Sequence, residues 1–508
     1  MFDRYHQSLR TFRHNHLSGK SSNRYHIPGA AMRVALIQPP MFHQRVHLAP
    51  NLGLAYIAAV LIRDGVEVQV IDAAAEDLGY DEIIQMLREF RPDLVAAGGQ
   101  TPVSDRALTI FKMAREAIGP QLKTLAGGPH FSFTDADSLE RCPELDFVVR
   151  GEAELTVSDL CRTLQQGGGL DEVKGLTYRD GGGVIQRNSD REPISDLDSL
   201  PFPAWDLFPV DKYHWAGNKM IGISSSRGCP YRCPHCITWK VHRGTRRRDP
   251  KRIVEEMLWV KRNFGHDTFF FQDDASFLDR GQLEGFLDAL EGCGERLFWY
   301  YETREDVFSR YRDLWPRMKR NGLFKIVLGL ETPDPSMRER FGKKGYDLQA
   351  VERMMDTLEK DLDVLVSVYL LFGLPEDTVD SVEALLEYGK HLYPDHCSFI
   401  VGSLAVPFPG TDMFIDLKER GLITSFDWND YGFDRSVIKT SVPPEKLSEV
   451  FSEFWVGTYV RPKVFLHQLQ FFVSGNRFRK SMAMQFVKMG REMSSDVKKM
   501  KGEEELGF

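Results

Sequence analysis

Three cysteines in one short loop are the part of the sequence best equipped for chemistry. Cys229, Cys233 and Cys236 lie in the stretch Ser226-Arg227-Gly228-Cys229-Pro230-Tyr231-Arg232-Cys233-Pro234-His235-Cys236. Thiolate sulfur suits iron–sulfur clusters and zinc, and three cysteines on a four-iron cluster would leave one iron open to an outside ligand. A structural zinc site needs four closed ligands. No second C-x-x-C is present, although His235 or His242 could complete a Cys₃His site. The spacing therefore predicts a metal centre but leaves both an iron–sulfur cluster and zinc as candidates.

The composition excludes several classes of protein. With 42% hydrophobic and 27% charged residues, the 508-residue chain is neither disordered nor collagen-like. Its net charge of −8 gives no general case for nucleic-acid binding, and no apolar run approaches the roughly 18–20 residues of a membrane span. Seven cysteines are a sparse, odd number that argues for a reducing compartment. We expect a cytoplasmic protein of several domains that binds no nucleic acid and has no transmembrane segment.

The cysteine loop belongs to a region, residues 219–425, in which apolar runs alternate with amphipathic segments. The predicted strands are Met220–Ser224, Thr268–Gln272, Phe298–Glu302, Lys325–Gly329, Leu365–Leu371 and Ser398–Ser403. The predicted helices are Pro250–Phe264, Arg280–Leu290, Ser309–Asn321, Leu348–Lys360, Val379–Leu392 and Asp412–Arg420. Six consecutive βα units predict a partial (β/α)₆ TIM barrel, with the cysteines at the carboxyl end of its first strand. Residues 426–508 are predicted to form a helical C-terminal region.

A second alternating pattern precedes the barrel over residues 32–165. Its predicted strands are Arg33–Ile37, Val66–Ile71, Leu94–Ala97, Leu122–Ala126 and Phe147–Val149, with helices between them. This order predicts a Rossmann-like (flavodoxin-like) parallel sheet that binds its ligand beyond the carboxyl ends of the strands. Residues 166–218 are predicted to be a linker with a small hairpin. Residues 1–31, with five Lys/Arg against one acid, are expected to be a disordered tail or an upstream start-codon artefact rather than a targeting arm.

The motif C-x₃-C-x₂-C after a first barrel strand resembles the signature of the radical S-adenosylmethionine superfamily. The preceding sheet is similar to the cobalamin-binding domain of that superfamily's cobalamin-dependent branch. Further stretches agree in order: Gly127-Gly128-Pro129-His130, Val149-Arg150-Gly151-Glu152, Leu197-Asp198-Ser199-Leu200-Pro201, Arg248-Asp249-Pro250, Asp273-Asp274, Gly329-Leu330-Glu331, Gly373-Leu374-Pro375-Glu376 and Pro407-Phe408-Pro409-Gly410-Thr411. Residues 236–240 and 246–251 most resemble the subgroup of the anaerobic magnesium-protoporphyrin IX monomethyl ester oxidative cyclase, which is also linked to phosphorus and carbon methylases.

This resemblance implies a set of cofactor contacts in the barrel. The three cysteines would hold a [4Fe–4S] cluster whose fourth iron is chelated by S-adenosyl-L-methionine. Residues implied to contact S-adenosylmethionine are His235, Asp273, Asp274, Arg304, Glu331 and Gly373. The two aspartates are expected at its amino group, Glu331 at the amino group or the ribose, Arg304 at the carboxylate and Gly373 at the adenine. His235 departs from much of the superfamily, where an aromatic residue precedes the last cysteine.

The resemblance also implies a cobalamin site in the first region. The implied contacts are Pro50, Leu52, Gly53, Thr101, Pro102, Gly127, Gly128 and Pro129. Cobalamin mutases carry D-x-H-x-x-G, whose histidine ligates cobalt, but the matching loop here is Asp72-Ala73-Ala74-Ala75-Glu76-Asp77. Bound cobalamin is therefore expected base-off, with no histidine below the metal. The branch commonly lacks that histidine.

The function implied by the resemblance is cleavage of S-adenosylmethionine to a 5′-deoxyadenosyl radical and methylation of an unactivated carbon (or phosphorus) of a biosynthetic intermediate. The alternative is an anaerobic oxidative cyclase that acts on a tetrapyrrole. A third, non-enzymatic hypothesis is a zinc- or cobalamin-bound module. The enzyme is expected to use a small-molecule substrate and an electron donor such as flavodoxin or ferredoxin. The sequence assigns no catalytic residue.

Overall fold

Two eight-stranded sheets organise the chain. The computed structural model describes residues 23–27, 29–41, 47–343, 347–433 and 435–500. The strands within these residues are β1 Arg24–Tyr25, β2 Arg33–Gln38, β3 His47–Leu48, β4 Glu67–Asp72, β5 Leu94–Gly98, β6 Lys123–Gly127, β7 Phe147–Val149, β8 Leu176–Arg179, β9 Ile185–Arg187, β10 His214–Trp215, β11 Asn218–Ile223, β12 Ser226–Arg227, β13 Arg246–Arg247, β14 Thr268–Phe271, β15 Phe298–Arg304, β16 Leu323–Glu331, β17 Leu365–Phe372 and β18 Phe399–Leu404.

Helices cover the sheets and form the C-terminal region. The α-helices are α1 Leu52–Arg63, α2 Ala73–Glu76, α3 Tyr80–Phe90, α4 Ser104–Ile118, α5 Pro129–Phe133, α6 Asp135–Arg141, α7 Glu154–Gln166, α8 Thr238–Val241, α9 Pro250–Phe264, α10 Arg280–Gly292, α11 Glu305–Ser309, α12 Trp315–Arg320, α13 Pro335–Arg340, α14 Leu348–Asp356, α15 Val379–Leu392, α16 Asp412–Glu419, α17 Pro444–Tyr459, α18 Pro462–Val473 and α19 Arg477–Met500. Short 3₁₀ segments span Thr101–Val103, Leu170–Glu172, Leu197–Ser199, Trp205–Leu207, Val210–Lys212, Arg312–Leu314 and Trp428–Asp430, and a π-helical turn spans Thr357–Asp361. None of the described helices is long and apolar enough to span a membrane.

The first sheet has the order β1-β4-β2-β5-β6-β7-β8-β9 and is parallel from β4 to β7. Its parallel strands are apolar because helices cover both faces. On β2, Val34 and Leu36 pack with α1 and α7, whereas Ala35 and Ile37 pack with α3 and α4. Each of the five predicted strands is present to within one residue at either end.

The first sheet extends beyond the predicted limits at both edges. Arg24–Tyr25, inside the predicted tail 1–31, pairs antiparallel with β4, so the ordered chain begins earlier than predicted. Residues 1–22 lie outside the described residues. The predicted hairpin is present as β8 and β9, but β8 pairs antiparallel with β7. It therefore continues the first sheet instead of standing in a linker.

The second sheet has the order β18-β17-β16-β15-β14-β11-β10-β3 and is parallel from β11 to β18. The six predicted strands are present to within two residues at either end. This sheet is a partial barrel with helices on its outer face, and its outward residues Phe269, Trp299, Ile326 and Val368 pack in the main core. The predicted fold class is confirmed.

The C-terminal helices close the amino ends of this partial barrel. Phe471 of α18 and Phe478 of α19 pack with Met220, Tyr300 and Phe324 on the inner face of the second sheet. The rings of Phe324 and Phe478 stack with their centroids 3.8 Å apart. The inner space is therefore closed at the amino ends of the strands and open toward the cysteine loop at their carboxyl ends.

Candidate active site

The cysteine loop is held in a tight backbone path. It begins at β12, which pairs antiparallel with β13. Gly228, just before Cys229, has φ +87°, and a Cβ atom there would lie 1.9 Å from the carbonyl oxygen of Gly244. Only glycine fits this position. The Cys236 N–H donates to the Cys233 carbonyl at 3.0 Å, which brings the last two cysteines into one turn.

Asp274 fixes the start of the loop. Its Oδ2 accepts the Gly228 N–H at 2.6 Å and lies 2.6 Å from Nδ1 of His242. This carboxylate therefore joins the carboxyl end of β14 to both flanks of the cysteines. It holds the loop, and it stays a predicted contact of S-adenosylmethionine.

Asp273 is hydrogen-bonded to two serines of the protein. Its Oδ1 accepts the Ser225 N–H at 2.8 Å, and its Oδ2 accepts the hydroxyls of Ser225 and Ser226. Burial raises the pKa of Asp273, and these hydrogen bonds oppose the rise. The geometry gives Asp273 a structural role between the ends of β11 and β14. Its Oδ1 can accept a further hydrogen bond, so its predicted contact with the amino group of S-adenosylmethionine stays a prediction.

Arg304 lies directly at the cysteines. Its Nη1 is 3.8 Å from the Cys233 sulfur and donates to the Phe341 carbonyl at 3.1 Å, while its Nη2 donates to the Gly342 carbonyl at 3.0 Å. The guanidinium also covers the ring of Tyr231 at 4.1 Å. A fixed cation beside a thiolate favours the charged sulfur that a metal needs.

His235 and Glu331 complete this side of the loop. The His235 ring packs edge-on against Phe341 with the centroids 4.9 Å apart, and its buried Nδ1 has no hydrogen-bond partner among the described residues. Burial lowers the pKa of His235, and the Glu331 charge opposes that change. Glu331 ends β16 with φ +64°, a left-handed conformation uncommon outside glycine, and lies 3.7 Å from the Lys343 ammonium. Such strain is often found at functional sites.

Gly373 lies one residue after β17 with φ +74°. A Cβ atom there would lie 3.0 Å from the Leu447 side chain of α17. Its backbone thus sits at the correct strand end for the predicted adenine contact, which stays a prediction.

The donor set fits a metal cluster. Burial is the main reason that the pKa of the Cys229 thiol is raised to about 11, and the neighbouring charges of Cys236 and Cys233 act in the same direction. Three thiols so close together suit a metal site better than an apolar core. Sulfur is a soft ligand, and a bound metal deprotonates the thiols. The described residues add no fourth cysteine to the group.

A cleft of about 460 Å³ connects the two sheets. From the first region it is lined by the predicted residues Pro50, Leu52, Gly53, Gly127, Gly128 and Pro129. From the second region it is lined by Ser224, Ser226, Arg227, Val241, His242, Gln272 and Asp274. The predicted cobalamin site and the start of the cysteine loop therefore share one space.

Glycines make one wall of this cleft flat. A Cβ atom on Gly98 would lie 2.0 Å from the Gly127 carbonyl oxygen, and one on Gly128 would lie 2.9 Å from the Gly99 nitrogen. The backbones of β5 and β6 thus approach too closely for any side chain. This wall fits a large flat ligand such as a corrin.

Thr101 and Pro102, two further predicted cobalamin contacts, are not among the residues that line this cleft. Thr101 is buried, and its hydroxyl lies 3.1 Å from Nδ1 of His130. The two residues begin the short helical turn before α4, which directs Thr101 into the protein interior. Gly99 and Gln100, two residues that sequence reasoning missed, line the cleft in their stead.

The loop after β4 is held in place by Asp72. The carboxylate of Asp72 accepts the Tyr213 hydroxyl at 2.5 Å and the Ala75 N–H at 2.9 Å. Asp72 is thereby used to cap α2 and to anchor the connector.

Buried ion pairs fasten the two regions beside the cleft. Glu152 accepts from both terminal nitrogens of Arg246 at 3.0 and 2.6 Å, and from the Ile194 N–H at 2.8 Å. Arg227 donates to Glu154 at 2.5 Å. The segments around residues 150–152 and 246–248 therefore hold the two regions together.

The inner face of the partial barrel carries a polar group that sequence reasoning missed. Glu302 accepts the Tyr369 hydroxyl at 3.2 Å. Lys325 is 8% exposed and lies over the rings of Trp215 and Tyr300, at 5.1 and 4.7 Å. Burial lowers the pKa of Lys325 to about 8, although the Glu302 charge opposes this. These residues could have been found from the sequence, because a charged residue inside a predicted buried strand indicates a polar site.

Known proteins agree with this arrangement. Residues 41–161 match the family model for the B12 binding domain, and residues 223–389 match that for the radical SAM superfamily. The uncharacterized methyltransferase PH0819 of Pyrococcus horikoshii is 30% identical over 451 residues, which is 86% of this chain and 95% of that protein. The chain belongs to the cobalamin-dependent radical S-adenosylmethionine family.

Membership of this family confirms the predicted resemblance and cofactors: S-adenosylmethionine, a [4Fe–4S] cluster and cobalamin. The anaerobic magnesium-protoporphyrin IX monomethyl ester cyclase of Rubrivivax gelatinosus is 28% identical over 437 residues, 83% of this chain and 77% of the cyclase. The methyltransferase TsrM of Kitasatospora setae, with cobalamin and a [4Fe–4S] cluster bound, has the same fold. Its TM-score is 0.69 at 18% identity, covering 91% of this chain and 99% of TsrM.

Proposed function

We propose that this member of the family methylates an unactivated carbon (or phosphorus) of a small-molecule biosynthetic intermediate. One observation carries the proposal: the cleft between the sheets is lined both by the glycine wall and by residues that hold the cysteine loop. Gly128 and Pro129 face it from the first region, and Ser226 and Asp274 from the second. A methyl donor and a radical source bound at these sites would meet at one substrate.

The protein's own residues would orient these groups. When bound, the cluster with S-adenosylmethionine supplies a carbon radical and cobalamin supplies the methyl group. Arg304 and Asp274 would keep the cysteine loop in register, and Glu331 and Gly373 would hold S-adenosylmethionine at the ends of β16 and β17. The polar group of Glu302, Lys325 and Tyr369 would orient the substrate within the partial barrel and keep it out of water.

Two relatives support methylation. Both PH0819 and TsrM are named methyltransferases, and together they match nearly the whole of this chain. We also propose an electron donor such as flavodoxin or ferredoxin, because radical formation requires a reduced cluster. The sparse, unpaired cysteines favour the cytoplasm.

Oxidative ring formation on a tetrapyrrole is the second candidate. The observation in its favour is the 28% identity to the Rubrivivax gelatinosus cyclase over most of both chains. Cyclisation would consume S-adenosylmethionine for the radical alone, whereas methylation would consume one molecule for the radical and another for the methyl group.

This difference in stoichiometry gives the test. The holoenzyme is incubated anaerobically with a reductant, methyl-deuterated S-adenosylmethionine and a small-molecule extract, and products are measured by mass spectrometry. Methylation predicts equal amounts of S-adenosylhomocysteine and 5′-deoxyadenosine, with deuterium in a product. 5′-Deoxyadenosine with neither S-adenosylhomocysteine nor labelled product would exclude methyl transfer and leave the cyclase. A protein with Cys229, Cys233 and Cys236 all changed to Ala is the negative control.

A further inference from the structure

Helix α18 exposes large apolar side chains that a helix on the surface of a globular protein would normally bury. Its buried residues are Val464, Gln468 and Phe471. Its exposed face, by contrast, carries the large apolar residues Phe465, Leu466, Leu469, Phe472 and Val473 at helical spacing, with Gln470 as the polar residue among them. These side chains are 48–80% exposed. A contiguous exposed patch of large apolar residues marks an interaction surface.

The patch continues onto both neighbouring helices. Val456 and Val460 at the end of α17 are 49% and 70% exposed, and Met484 and Val487 of α19 are 54% and 51% exposed. The opposite faces of α18 and α19 close the amino ends of the partial barrel. The surface therefore forms the end of the molecule that lies away from the cysteine loop and the cleft.

The charge of this segment has one sign. Residues 454–491 contain no Asp or Glu, and their basic residues are Arg461, Lys463, Arg477, Arg479, Lys480, Lys488 and Arg491. Some of these are neutralised by acids of the barrel: Arg479 pairs with Glu359, Arg477 with Asp267 and Lys463 with Asp395. Lys480 and Lys488 are exposed, and neither forms an ion pair with a residue whose side chain the structure describes, which on this helix means up to Lys488.

We propose that the outer face of α18, with Lys480 and Lys488 of α19, docks on an anionic lipid surface. Large apolar side chains beside lysines, without acids, have the chemistry of helices that lie in the headgroup region of a bilayer. The apolar side chains would enter the acyl boundary, and the lysines would meet the anionic headgroups. This inference does not rest on methyl transfer.

A second copy of the chain fits this surface less well. A two-fold contact places the same patch on both partners. Lys480 and Lys488 of the two copies would then be brought together on a surface where residues 454–491 supply no carboxylate. Anionic lipid satisfies both the apolar side chains and the charges.

Vesicle flotation with the full-length holoenzyme tests the proposal. The probes are vesicles of phosphatidylcholine alone and vesicles that also contain about a third phosphatidylglycerol. We expect binding to the anionic vesicles that falls as salt rises, and at least tenfold weaker binding for the double variant Leu469→Glu/Phe472→Glu. Lys480→Glu/Lys488→Glu should remove most of the preference for anionic lipid.

A matched control separates this surface from general stickiness. Val184, in the β8–β9 turn, is 57% exposed, and Val184→Glu should bind vesicles like the wild type. No binding of the wild-type protein to anionic vesicles at low salt overturns the proposal, whatever the variants do. A wild-type dimer that Leu469→Glu/Phe472→Glu converts to a monomer, with no vesicle binding, would show that a second copy covers the face.

Discussion

Asp274 carries a positioning role that a single substitution can expose. Its carboxylate holds the Gly228 N–H and lies against His242, on either side of the three cysteines. Residues that orient metal ligands without binding the metal typically change metal affinity 10–100-fold when removed. We therefore expect Asp274→Ala to lose iron at least tenfold faster than the wild type on incubation with a chelator, measured by iron content and absorbance near 400 nm.

The control for this change is a different aspartate, Asp279, which caps a helix. Asp279 accepts the Gln282 N–H at the start of α10 and is partly exposed. Asp279→Ala should lose a little stability and keep its iron. Equal iron loss in the two variants would refute the positioning role of Asp274.

Lys325 is a costly residue for the fold, and this cost is measurable. Burial lowers its pKa from 10.5 to about 8, against the opposing charge of Glu302. Between these values the unfolded chain binds more protons than the folded one, so this group's contribution to the free energy of unfolding rises with pH. We expect Lys325→Met to be more stable at pH 7, by on the order of 3 kcal/mol at most, with the gain shrinking toward pH 10.

The same variant should form less product, because Lys325 is proposed to orient the substrate. Denaturant unfolding at pH 7 and pH 10, beside the methyl-transfer assay, measures both effects. Arg296→Met, also a cation over an aromatic ring but near the surface of the barrel, serves as the comparison. A Lys325→Met protein that is destabilised at pH 7 and fully active would mean that the lysine serves packing alone.

At the scale of elements, the pair Glu152–Arg246 ties the loop after β7 to β13. Burial would raise the pKa of Glu152, but hydrogen bonds from Arg246 and the nearby charge of Arg227 outweigh it and hold the pKa below the usual range. The folded-state pKa is lowered, so this contribution is present at neutral pH and is lost as pH falls below the usual range of a glutamate. Glu152→Gln should lower the free energy of unfolding by on the order of 3 kcal/mol at pH 7, because it leaves Arg246 buried without a counter-charge.

Thermal unfolding at pH 7 and at pH 4 checks this expectation, and the deficit should be smaller at pH 4. The exposed pair Arg280–Asp313 is the comparison, since solvent screens it and Arg280→Ala should change the unfolding temperature far less than Glu152→Gln. Equal losses in the two variants would contradict a special role for the ion pairs between the regions.

The elements could be predicted from sequence wherever burial dictated the pattern. The strands β2 and β4–β7 are mostly buried, and their predicted ends lie within one residue of the observed ends. β1, β3 and β10 were missed because two residues show no periodicity, and their pairing is set by distant strands. The direction of the Thr101 side chain was out of reach for a related reason: Thr101 contacts His130, which lies in another loop.

The candidate site was predicted as far as local spacing reaches. Glycines and cysteines indicate close backbone approach and metal ligation within a few consecutive residues, so Gly127, Gly128 and the three cysteines could be proposed from the sequence. Contacts between residues far apart in the chain could not be predicted from local spacing. Asp273 proved to bind Ser225 and Ser226 within the protein, and Lys325 meets Trp215 only because β10 joins the second sheet.

For the whole molecule, the two cofactor sites should load independently, since the cysteines and the glycine wall belong to different sheets. Protein purified anaerobically with cobalamin supplied should contain about four iron atoms and one cobalt per chain. Changing all three cysteines to Ala should remove the iron and leave most of the cobalt, measured by elemental analysis. Loss of both metals together would mean that one site depends on the other, and iron without cobalt in the wild type would contradict the cobalamin site.

Because β3 pairs with β10, the second sheet cannot be completed without a strand from the first part of the chain. His47–Leu48 precede most of the first sheet in the chain, yet they form the last strand of the second. During synthesis this segment leaves the ribosome long before its partner, so it must wait unpaired until residues 214–215 emerge. The halves are therefore poor candidates for exchange as cassettes, because cutting at the connector would remove an edge strand from the recipient barrel.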